Sequence, residues 1–406
     1  MNNFAYSLIT DFGDKKYLHK LIAISSIKTK KDLLKFLLLN TATLKSSKIT
    51  ASEIFTHRIA ASKIADKIPN AYIKTYAKLL NIYGLLREGK LSKAYTLINK
   101  EKNHITEFKN NFLTAYLLEL EGDYYSIPKD RKAIDSFKKA LKKYGSIANE
   151  KDIYRVKSNL LAAYLYKKDI KNSEMLIKEL LSSPFEKQNL YFRSKLYNNL
   201  GILYYYKNKF KESKKYFLKS FKLSKKLNQL ESQQRTLGNV AAIYTTENNY
   251  LKAIEIYKQL LTQFTSGNYF LNIFPWLINI GHSYYNLNKY KEAKIYFNKY
   301  INYAVKYSFP KRIIEGHYYK ARIYFYQNNL KLFLQEKRII KKYLRKQKDS
   351  KSEYNYLIIL DLFLEILSSP KNNHNKIFAE YKTILSKRKN ISLSEWNDFN
   401  SAKNRD

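Results

Sequence analysis

The sequence predicts an all-α fold, a right-handed α-solenoid of helical hairpins with helical caps, and three observations lead to it. Glycine and proline are scarce, at 10 and 6 in 406 residues, whereas β-rich and dinucleotide-binding folds need many glycines. Hydrophobic residues make up 45% of the chain, which allows a large core and argues against a disordered basic chain. Finally, one pattern recurs along the chain with a constant period, as in repeat architectures.

The repeat is clearest in three segments that align at an offset of 40 residues and are each followed by a second amphipathic segment. The first segments are Tyr197–Tyr204, Leu237–Tyr244 and Leu277–Tyr284, and the second ones are Phe210–Phe217, Tyr250–Tyr257 and Tyr290–Phe297. Weaker copies extend the same grid toward both ends of the chain. Each unit is therefore predicted to be a hairpin of two helices, which we call A and B, joined by a short polar break.

Small residues occupy fixed positions in both helices of the repeat. They are Gly201, Ala241 and Gly281 in helix A, and Ser213, Ala253 and Ala293 in helix B. Such residues let helix axes approach to the near end of the usual range of about 8–10 Å, while aromatic side chains fill the space around them. Because a single hairpin cannot bury its apolar face alone, the units must stack, and we expect one concave and one convex surface.

This pattern resembles the tetratricopeptide repeat family, which shows a similar order of Leu-Gly-x-x-Tyr, then Tyr-x-x-Ala, then Phe. The resemblance is best over residues 194–303 and looser over about 75–345. The period of 40 residues resembles that of the long-helix members, such as kinesin light chains, the LGN/Pins scaffolds and Rap-type peptide receptors. The resemblance implies binding of peptides or proteins in the concave groove, without chemistry.

An asparagine recurs at one register of helix A, and we call this set the asparagine ladder. Its members are Asn159, Asn199, Asn239 and Asn279. Asparagine in mid-helix is less favourable than alanine by a few tenths of a kcal/mol, about 0.5 at most, so a side-chain role is expected. A primary amide can bond both the N–H and the C=O of an extended peptide, and the resemblance implies that role. The alternative is that each amide bonds a neighbouring helix.

Other side chains on the same stripe of helix A are candidates for contacts with ligand side chains. A basic row lies four residues before the ladder at Arg155, Lys195 and Arg235, until Pro275 ends it. Arginine grips carboxylates bidentately, so this row predicts an acidic or carboxylate-bearing peptide. The remaining candidates are Tyr166, Tyr205, Tyr206, His282, Tyr285, Arg322 and Phe325. Tyr164, Tyr204, Tyr244 and Tyr284, on the repeat consensus, are predicted to pack in the core.

Three regions are expected. Residues 1–70 are predicted to form a helical bundle or cap, with helices at 17–27, 32–44 and 51–68. Residues 71–345 hold about seven repeats, and residues 346–406 hold capping helices near 353–367 and 375–388 before a polar tail. No run is apolar and long enough to cross a bilayer, and the start lacks the order of a secretory signal. The sequence therefore predicts a soluble, cytoplasmic protein.

The charge leaves a second function open. Lys and Arg outnumber Asp and Glu by 75 to 34, for a formal charge of +41. This excess is spread along the chain, and Lys outnumbers Arg 63 to 12, whereas a nucleic-acid binder more often concentrates its basic residues and uses arginine. A regulator that contacts nucleic acid through its basic surface remains the alternative to peptide binding. A scaffold that uses the convex face is a third possibility.

Catalysis is not expected. The chain has no cysteine, and its six histidines are scattered without metal-ligand spacing. There is no glycine loop of the phosphate-binding kind. The acidic residues are interspersed with lysines on helix faces, where solvated charge is the ordinary interpretation. The sequence therefore predicts no enzyme activity, no metal and no cofactor.

Overall fold

The structure is a computed structural model that describes residues 51–87, 89–108, 110–127, 130–147, 150–183, 189–264, 270–345, 354–369 and 373–387. Within these ranges all regular structure is α-helical, apart from short turns. The helices are α1 (Ala51–Lys67), α2 (Ala71–Arg87), α3 (Leu91–Phe108), α4 (Asn111–Ser126), α5 (Lys132–Gly145), α6 (Glu150–Tyr166), α7 (Ile170–Ser182), α8 (Leu190–Tyr206), α9 (Phe210–Lys226), α10 (Leu230–Thr246), α11 (Tyr250–Phe264), α12 (Phe270–Asn286), α13 (Tyr290–Lys306), α14 (Pro310–Tyr326), α15 (Leu330–Arg345), α16 (Tyr354–Ser368) and α17 (His374–Ser386).

The described chain forms two compact units, the first ending at Ile243 and the second beginning at Tyr244. In the first unit, α4/α5, α6/α7 and α8/α9 are A/B hairpins, and in the second unit α12/α13 and α14/α15 are. Consecutive hairpins contact each other within each unit, as α5 does with α6 and α13 does with α14. The predicted fold class, an all-α solenoid of helical hairpins, is confirmed.

The small residues of helix A let an aromatic ring of helix B lie directly on the backbone. A Cβ atom added at Gly201 would lie 2.6 Å from the ring of Phe217, and one at Gly281 would lie 2.7 Å from Cδ1 of Phe297. Both rings are fully or almost fully buried. The same hairpin shows a second close contact, because the Ser213 hydroxyl donates to the Gly201 carbonyl at 2.6 Å. The predicted role of the small residues is therefore confirmed.

Four of the turns between helices A and B use asparagine where many proteins use glycine. Asn208, Asn248, Asn288 and Asn328 all have left-handed backbones, with φ between 52° and 58°. Around Asn208 the Lys209 N–H donates to the Tyr204 carbonyl at 2.9 Å, and the Asn208 N–H donates to the Tyr205 carbonyl at 3.0 Å. This is the Schellman arrangement that ends a helix. It explains how so many hairpins form in a chain with so few glycines.

The helices predicted at the two ends are observed where the structure describes them. The predicted helix 51–68 is α1, whereas those at 17–27 and 32–44 lie outside the described residues. The two C-terminal helices predicted near 353–367 and 375–388 are α16 and α17. Helix α16 packs on α14, since the rings of Phe325 and Phe363 stack with their centroids 4.3 Å apart. None of the helices in the described ranges has the length and apolarity needed to cross a membrane.

Candidate functional site

Three members of the asparagine ladder lie in the first unit, on the successive A helices α6, α8 and α10. Two of them bond a polar side chain of the preceding A helix. The Asn159 amide donates to the Asp123 carboxylate at 3.3 Å, and the Asn239 amide donates to the Asn198 side-chain oxygen at 3.2 Å. Each bond uses one N–H of the amide. Because an amide has two donors and an acceptor oxygen, part of its bonding capacity remains.

Asn199, the middle member of the ladder, differs from its neighbours. Its side chain is largely buried, at 7% exposed. Within the described part of the chain its amide makes no hydrogen bond. Its polar atoms still reach solvent. A buried amide that lacks a partner costs about 1–3 kcal/mol, unless water or a ligand bonds it. Among the described residues, Asn199 is therefore the ladder member whose hydrogen-bonding groups are least used by the protein itself.

One residue of the basic row is paired within the protein rather than available to a ligand. Arg155 was predicted to grip a ligand carboxylate, but its guanidinium is held by carboxylates of the protein itself. Its Nε and Nη2 donate to the two oxygens of Glu119 at 2.7 and 2.6 Å, and Nη1 pairs with Asp152. Glu119 is 3% exposed. The role observed for Arg155 is therefore an internal ion pair, because α4 supplies a carboxylate at that position.

The ionisation of this cluster reflects both burial and pairing. Burial would lower the pKa of Arg155, but the Glu119 charge raises it well above its ordinary value. Burial raises the pKa of Asp152 despite the opposing effect of Arg155. Burial and the Glu119 charge raise the pKa of Tyr144, whose hydroxyl lies 3.1 Å from Glu119. These four side chains tie α4, α5 and α6 together, so they serve the fold.

The other two basic residues of the row remain on the surface of the first unit. The Lys195 ammonium lies 5.4 Å from the centre of the Tyr191 ring, in a cation–π contact. Arg235 is exposed on α10. Within the part of the chain that the structure describes, Lys195 makes no ion pair with a carboxylate. A ligand carboxylate could thus approach Lys195 without displacing an internal carboxylate.

The three tyrosines predicted to make ligand pockets in this unit lie at the C-terminal ends of α6 and α8. Tyr166 is 52% exposed, and Tyr205 and Tyr206 are half-buried. The Tyr205 and Tyr206 rings meet edge to face at 5.9 Å, and Lys168 lies over the Tyr206 ring at 5.8 Å. Burial raises the pKa of Tyr206, with a smaller contribution from Tyr166. These rings therefore form an amphipathic aromatic surface at one end of the A helices.

The second unit contains the fourth ladder member and brings three other candidates together. The Asn279 amide donates to the Tyr257 hydroxyl at 3.1 Å, so here a phenol replaces the amide or carboxylate partner. One turn later the His282 ring meets the Tyr319 ring edge-on at 4.1 Å. Burial and the nearby Arg322 charge lower the pKa of His282 to about 3. His282 is therefore a neutral imidazole at physiological pH.

Arg322 and Tyr285 complete this cluster. Arg322 is 6% exposed, and its guanidinium carbon lies 4.8 Å from the centre of the Tyr285 ring. Its Nη2 also reaches the Tyr285 hydroxyl at 3.4 Å. The structure thus brings together His282 and Tyr285 of α12 and Arg322 of α14.

The prediction that Phe325 lines a ligand pocket is wrong. Its side chain is fully buried, and α16 covers it through the ring of Phe363. Of the consensus tyrosines predicted to pack in the core, Tyr164 is buried at 6% exposed. Tyr204 and Tyr284 are half-buried instead and stack on a tyrosine of the following B helix.

Sequence reasoning missed the internal partners of the ladder and of Arg155. They are Glu119, Asp123, Asn198 and Tyr257. Glu119 and Asp123 lie four residues apart, so they share one face of α4. Two carboxylates on a helix that adjoins a predicted basic row were a usable signal. Asn198 had only its position next to Asn199 to mark it.

Comparison with known proteins agrees with the fold. Tetratricopeptide repeat family models match residues 195–233 and residues 277–304. No curated protein sequence matches the chain.

Several solved structures have a similar fold. A signal transduction ATPase with numerous domains and a tetratricopeptide repeat sensor, from Pyrococcus horikoshii, superimposes with a TM-score of 0.62 at 18% identity. The match covers 89% of this chain and 54% of that one, so this chain spans about half the length of that relative. A Rap protein complexed with Competence and Sporulation Factor gives a TM-score of 0.54 at 16% identity, over 93% of this chain and 94% of the other.

NprR in complex with its cognate peptide NprX gives a TM-score of 0.56 at 14% identity, over 89% of this chain and 99% of that one. At these identities the likeness concerns the fold. The hairpins and the glycine–phenylalanine contacts lead to the same conclusion as the family models: this chain is a helical solenoid with a period of 40 residues, and its residues 195–233 and 277–304 match tetratricopeptide repeats.

Proposed function

We propose that this protein is a non-catalytic peptide receptor or scaffold. It binds an extended peptide, or a disordered segment of a partner protein, on the face formed by the A helices of its first unit. The observation that carries the proposal is Asn199, a largely buried amide without a hydrogen bond in the described structure, between two ladder asparagines that retain bonding capacity. A regulator that responds to a signalling peptide is the form of this function that the similar structures favour.

The spacing of the ladder suits a peptide backbone. Neighbouring packed helices lie about 8–10 Å apart, and an extended chain advances about 3.3 Å per residue. Each ladder amide would then meet every third residue of the peptide. Because the amide bonds main-chain groups, this contact reads an extended conformation rather than a sequence.

Side-chain selectivity would come from the groups beside the ladder. Lys195 and Arg235 favour an acidic residue in the peptide, whereas Arg155 contributes none because Glu119 holds its guanidinium. The exposed Tyr166 and the half-buried Tyr205 and Tyr206 offer aromatic contacts of the kind that dominate binding interfaces. We therefore expect peptides that combine acidic and apolar residues.

The solved structures support the proposal by analogy. The NprR structure holds its cognate peptide NprX, and the Rap structure holds Competence and Sporulation Factor. Both superimpose on most of this chain and on most of their own length. The shared fold makes a peptide the first ligand class to test.

The second unit offers a separate patch of Asn279, His282, Tyr285 and Arg322. There the neutral His282 ring can donate or accept a hydrogen bond, and Arg322 adds positive charge. We propose that this patch contacts ligand as well. The variant His282→Phe, measured in the peptide-binding assay described next, tests the contribution of this patch.

The test is affinity selection from a random-peptide library with the wild-type protein, followed by affinity measurement on the enriched peptides. The variant is Asn199→Ala/Asn239→Ala, which removes two ladder amides. We expect it to weaken binding at least about tenfold, because each hydrogen bond contributes about 0.5–1.5 kcal/mol.

The matched control is Asn198→Ala. It removes the internal bond to Asn239 but leaves the ladder amides in place. Retained binding in the control, with loss in the double variant, supports direct contact between ladder and peptide. Equal binding by the wild type and the double variant would show that the asparagines only join helices. Thermal unfolding of all three proteins separates loss of contact from loss of fold.

A further inference from the structure

Helix α9 carries an unusual concentration of one charge. Its 17 residues include seven lysines and a single acidic residue, Glu212 in the first turn. No other helix in the described ranges has as many basic residues. Six of these lysines are exposed: Lys211, Lys215, Lys219, Lys222, Lys225 and Lys226. We call these six the α9 lysine stripe.

Within the described part of the chain, no lysine of the stripe forms an ion pair. By contrast, the neighbouring Lys207 pairs with Glu174 at 2.5 Å, and Lys157 pairs with Glu179 at 2.5 Å. Lys219 instead makes cation–π contacts, since its ammonium lies 5.5 and 5.4 Å from the centres of the Tyr197 and Tyr216 rings. Like charges one turn apart on a helix repel. The stripe is therefore a destabilising feature of the free protein that a bound polyanion would relieve.

The side chains buried on the opposite side of α9 explain why the lysines of the stripe face outward. Ser213, Ser220 and Ser224 are buried against the hairpin together with Phe217. Ser220 donates to the Ser194 carbonyl at 2.7 Å, and Ser194 donates back to the Ser220 carbonyl at 3.1 Å. These short contacts hold α9 in one rotational setting. The lysines are thus presented on a fixed face rather than distributed around the helix.

The composition of this face decides between classes of partner. Leu218, at 51% exposed, is the one large apolar side chain of α9 that is exposed. Protein interfaces usually need an apolar, charge-depleted core, which this face does not offer. The face also has no arginine to grip a carboxylate bidentately. A row of lysines can bind phosphate groups as point charges.

The length of the stripe fits a nucleic-acid strand. From Lys211 to Lys226 the helix rises about 22 Å, at about 1.5 Å per residue. A strand of duplex carries a phosphate about every 3.4 Å along its axis, so this length covers about six phosphates. Besides the stripe, the exposed side chains of α9 are Glu212 and Leu218.

We propose that the exposed face of α9 binds the phosphate backbone of a nucleic acid without sequence preference, through the α9 lysine stripe. This surface lies on a B helix, whereas the proposed peptide site lies on A helices. The two functions can therefore be separated by mutation.

The experiment measures binding of a short fluorescent duplex and of the matching single strand over a series of salt concentrations. The variant is Lys215→Glu/Lys222→Glu/Lys226→Glu, which keeps Lys219 on its aromatic rings. We expect the variant to lose at least about tenfold in affinity, and its slope of log K against log salt to fall by about 2 to 3, because each lost duplex contact contributes about 0.9.

The matched control is Lys291→Glu/Lys299→Glu/Lys306→Glu on α13, which changes the net charge by the same amount. There the exposed Asn298, Ile295 and Val305 interrupt the row of lysines. We expect the control to bind nearly as well as the wild type. Equal losses in the two variants would overturn the proposal, because binding would then follow net charge alone. Tighter binding of an acidic peptide than of either nucleic acid, with the same sensitivity to the α9 variant, would also overturn it.

Discussion

The two units share one repeat but join their A helices with different chemistry. In the first unit aromatic contacts such as Tyr154 with Phe192 are joined by a series of polar ones. These are Glu119 with Arg155, Asp123 with Asn159, and Asn198 with Asn239. In the second unit they are largely aromatic. His282 meets Tyr319 at 4.1 Å between α12 and α14, and Phe325 stacks on Phe363 between α14 and α16.

This difference shows that register and partner are separate properties of a repeat. The ladder position is the same in both units, yet its amide bonds a carboxylate, an amide or a phenol. Losing one member of a buried polar contact leaves its partner unsatisfied, which costs the protein much stability. Losing an aromatic contact costs stability in proportion to the apolar area that becomes exposed. The four predictions below test this contrast.

The largest effect is expected from Glu119→Gln in the first unit. The change leaves the guanidinium of Arg155 without its bidentate carboxylate, and breaking a buried ion pair costs about 3–5 kcal/mol. Because the Arg155 side chain is 29% exposed, we expect the lower end, about 3 kcal/mol, in chemical denaturation. Glu179→Gln breaks the exposed pair with Lys157 and should cost at most about 1 kcal/mol. Similar losses in both variants would contradict the contrast between buried and exposed pairs.

The second prediction is a loss of stability of equal size in the two units when a helix A glycine is replaced by alanine. Gly201→Ala and Gly281→Ala each place a methyl group within 2.4 to 2.7 Å of a buried phenylalanine ring, and overpacking of this kind costs about 1–3 kcal/mol. We expect about 2 kcal/mol from each in urea unfolding. Gly145→Ala is the control, because nothing lies within 4 Å of its added Cβ. A neutral result for Gly201 or Gly281 would mean that the helices separate easily.

The third prediction concerns pH and the second unit alone. The folded pKa of His282 is about 3, below its ordinary value of 6.5. As the pH falls below about 6.5 the unfolded chain takes up a proton that the folded protein does not, so stability decreases until about pH 3. The slope is at most about 1.4 kcal/mol per pH unit.

The measurement compares urea unfolding of the wild type and His282→Phe between about pH 4 and 7. The variant should lose the part of the slope that His282 contributes, while the carboxylates contribute equally to both proteins. Parallel curves for the two proteins would show that His282 is protonated in the folded state.

The smallest expected effect is a difference in stability between glycine variants of two turns of the same type. Both Asn208 and Asn288 have positive φ, at 57° and 58°, so glycine relieves steric strain at either position. The Asn288 side chain also accepts a hydrogen bond from the Tyr290 hydroxyl at 3.1 Å, whereas Phe210 replaces that tyrosine in the first unit. We expect Asn208→Gly to raise stability by about 0.5 kcal/mol and Asn288→Gly to leave it nearly unchanged. Thermal unfolding of the two variants tests the order, and the reverse order would contradict it.

Much of the candidate site was predictable because it follows helical spacing. The ladder, His282, Tyr285 and Arg322 lie on A helices as expected, since residues three or four apart share a face. Of the partners of the ladder and of Arg155, only Glu119 and Asp123 left a signal in the sequence, as two carboxylates four residues apart. Glu119 lies 36 residues from Arg155 on another helix, and nothing local distinguishes an arginine that will meet an internal carboxylate from one that will not. Phe325 was misplaced for the same reason, because its burial depends on α16.

The sequence by itself determined the helices, the period of 40 residues, the hairpin and the positions of close contact. These features depend on intrinsic preferences and on side-chain size at fixed intervals, which are local properties of the chain. The tertiary structure alone decided that Arg155 is neutralised internally and that the α9 lysine stripe faces outward. It also decided that, among the described residues, Asn199 has no hydrogen-bond partner for its amide while Asn239 has one, and that the stripe forms no ion pair there. These outcomes depend on which side chain of a different helix reaches the same point in space, and packing determines that.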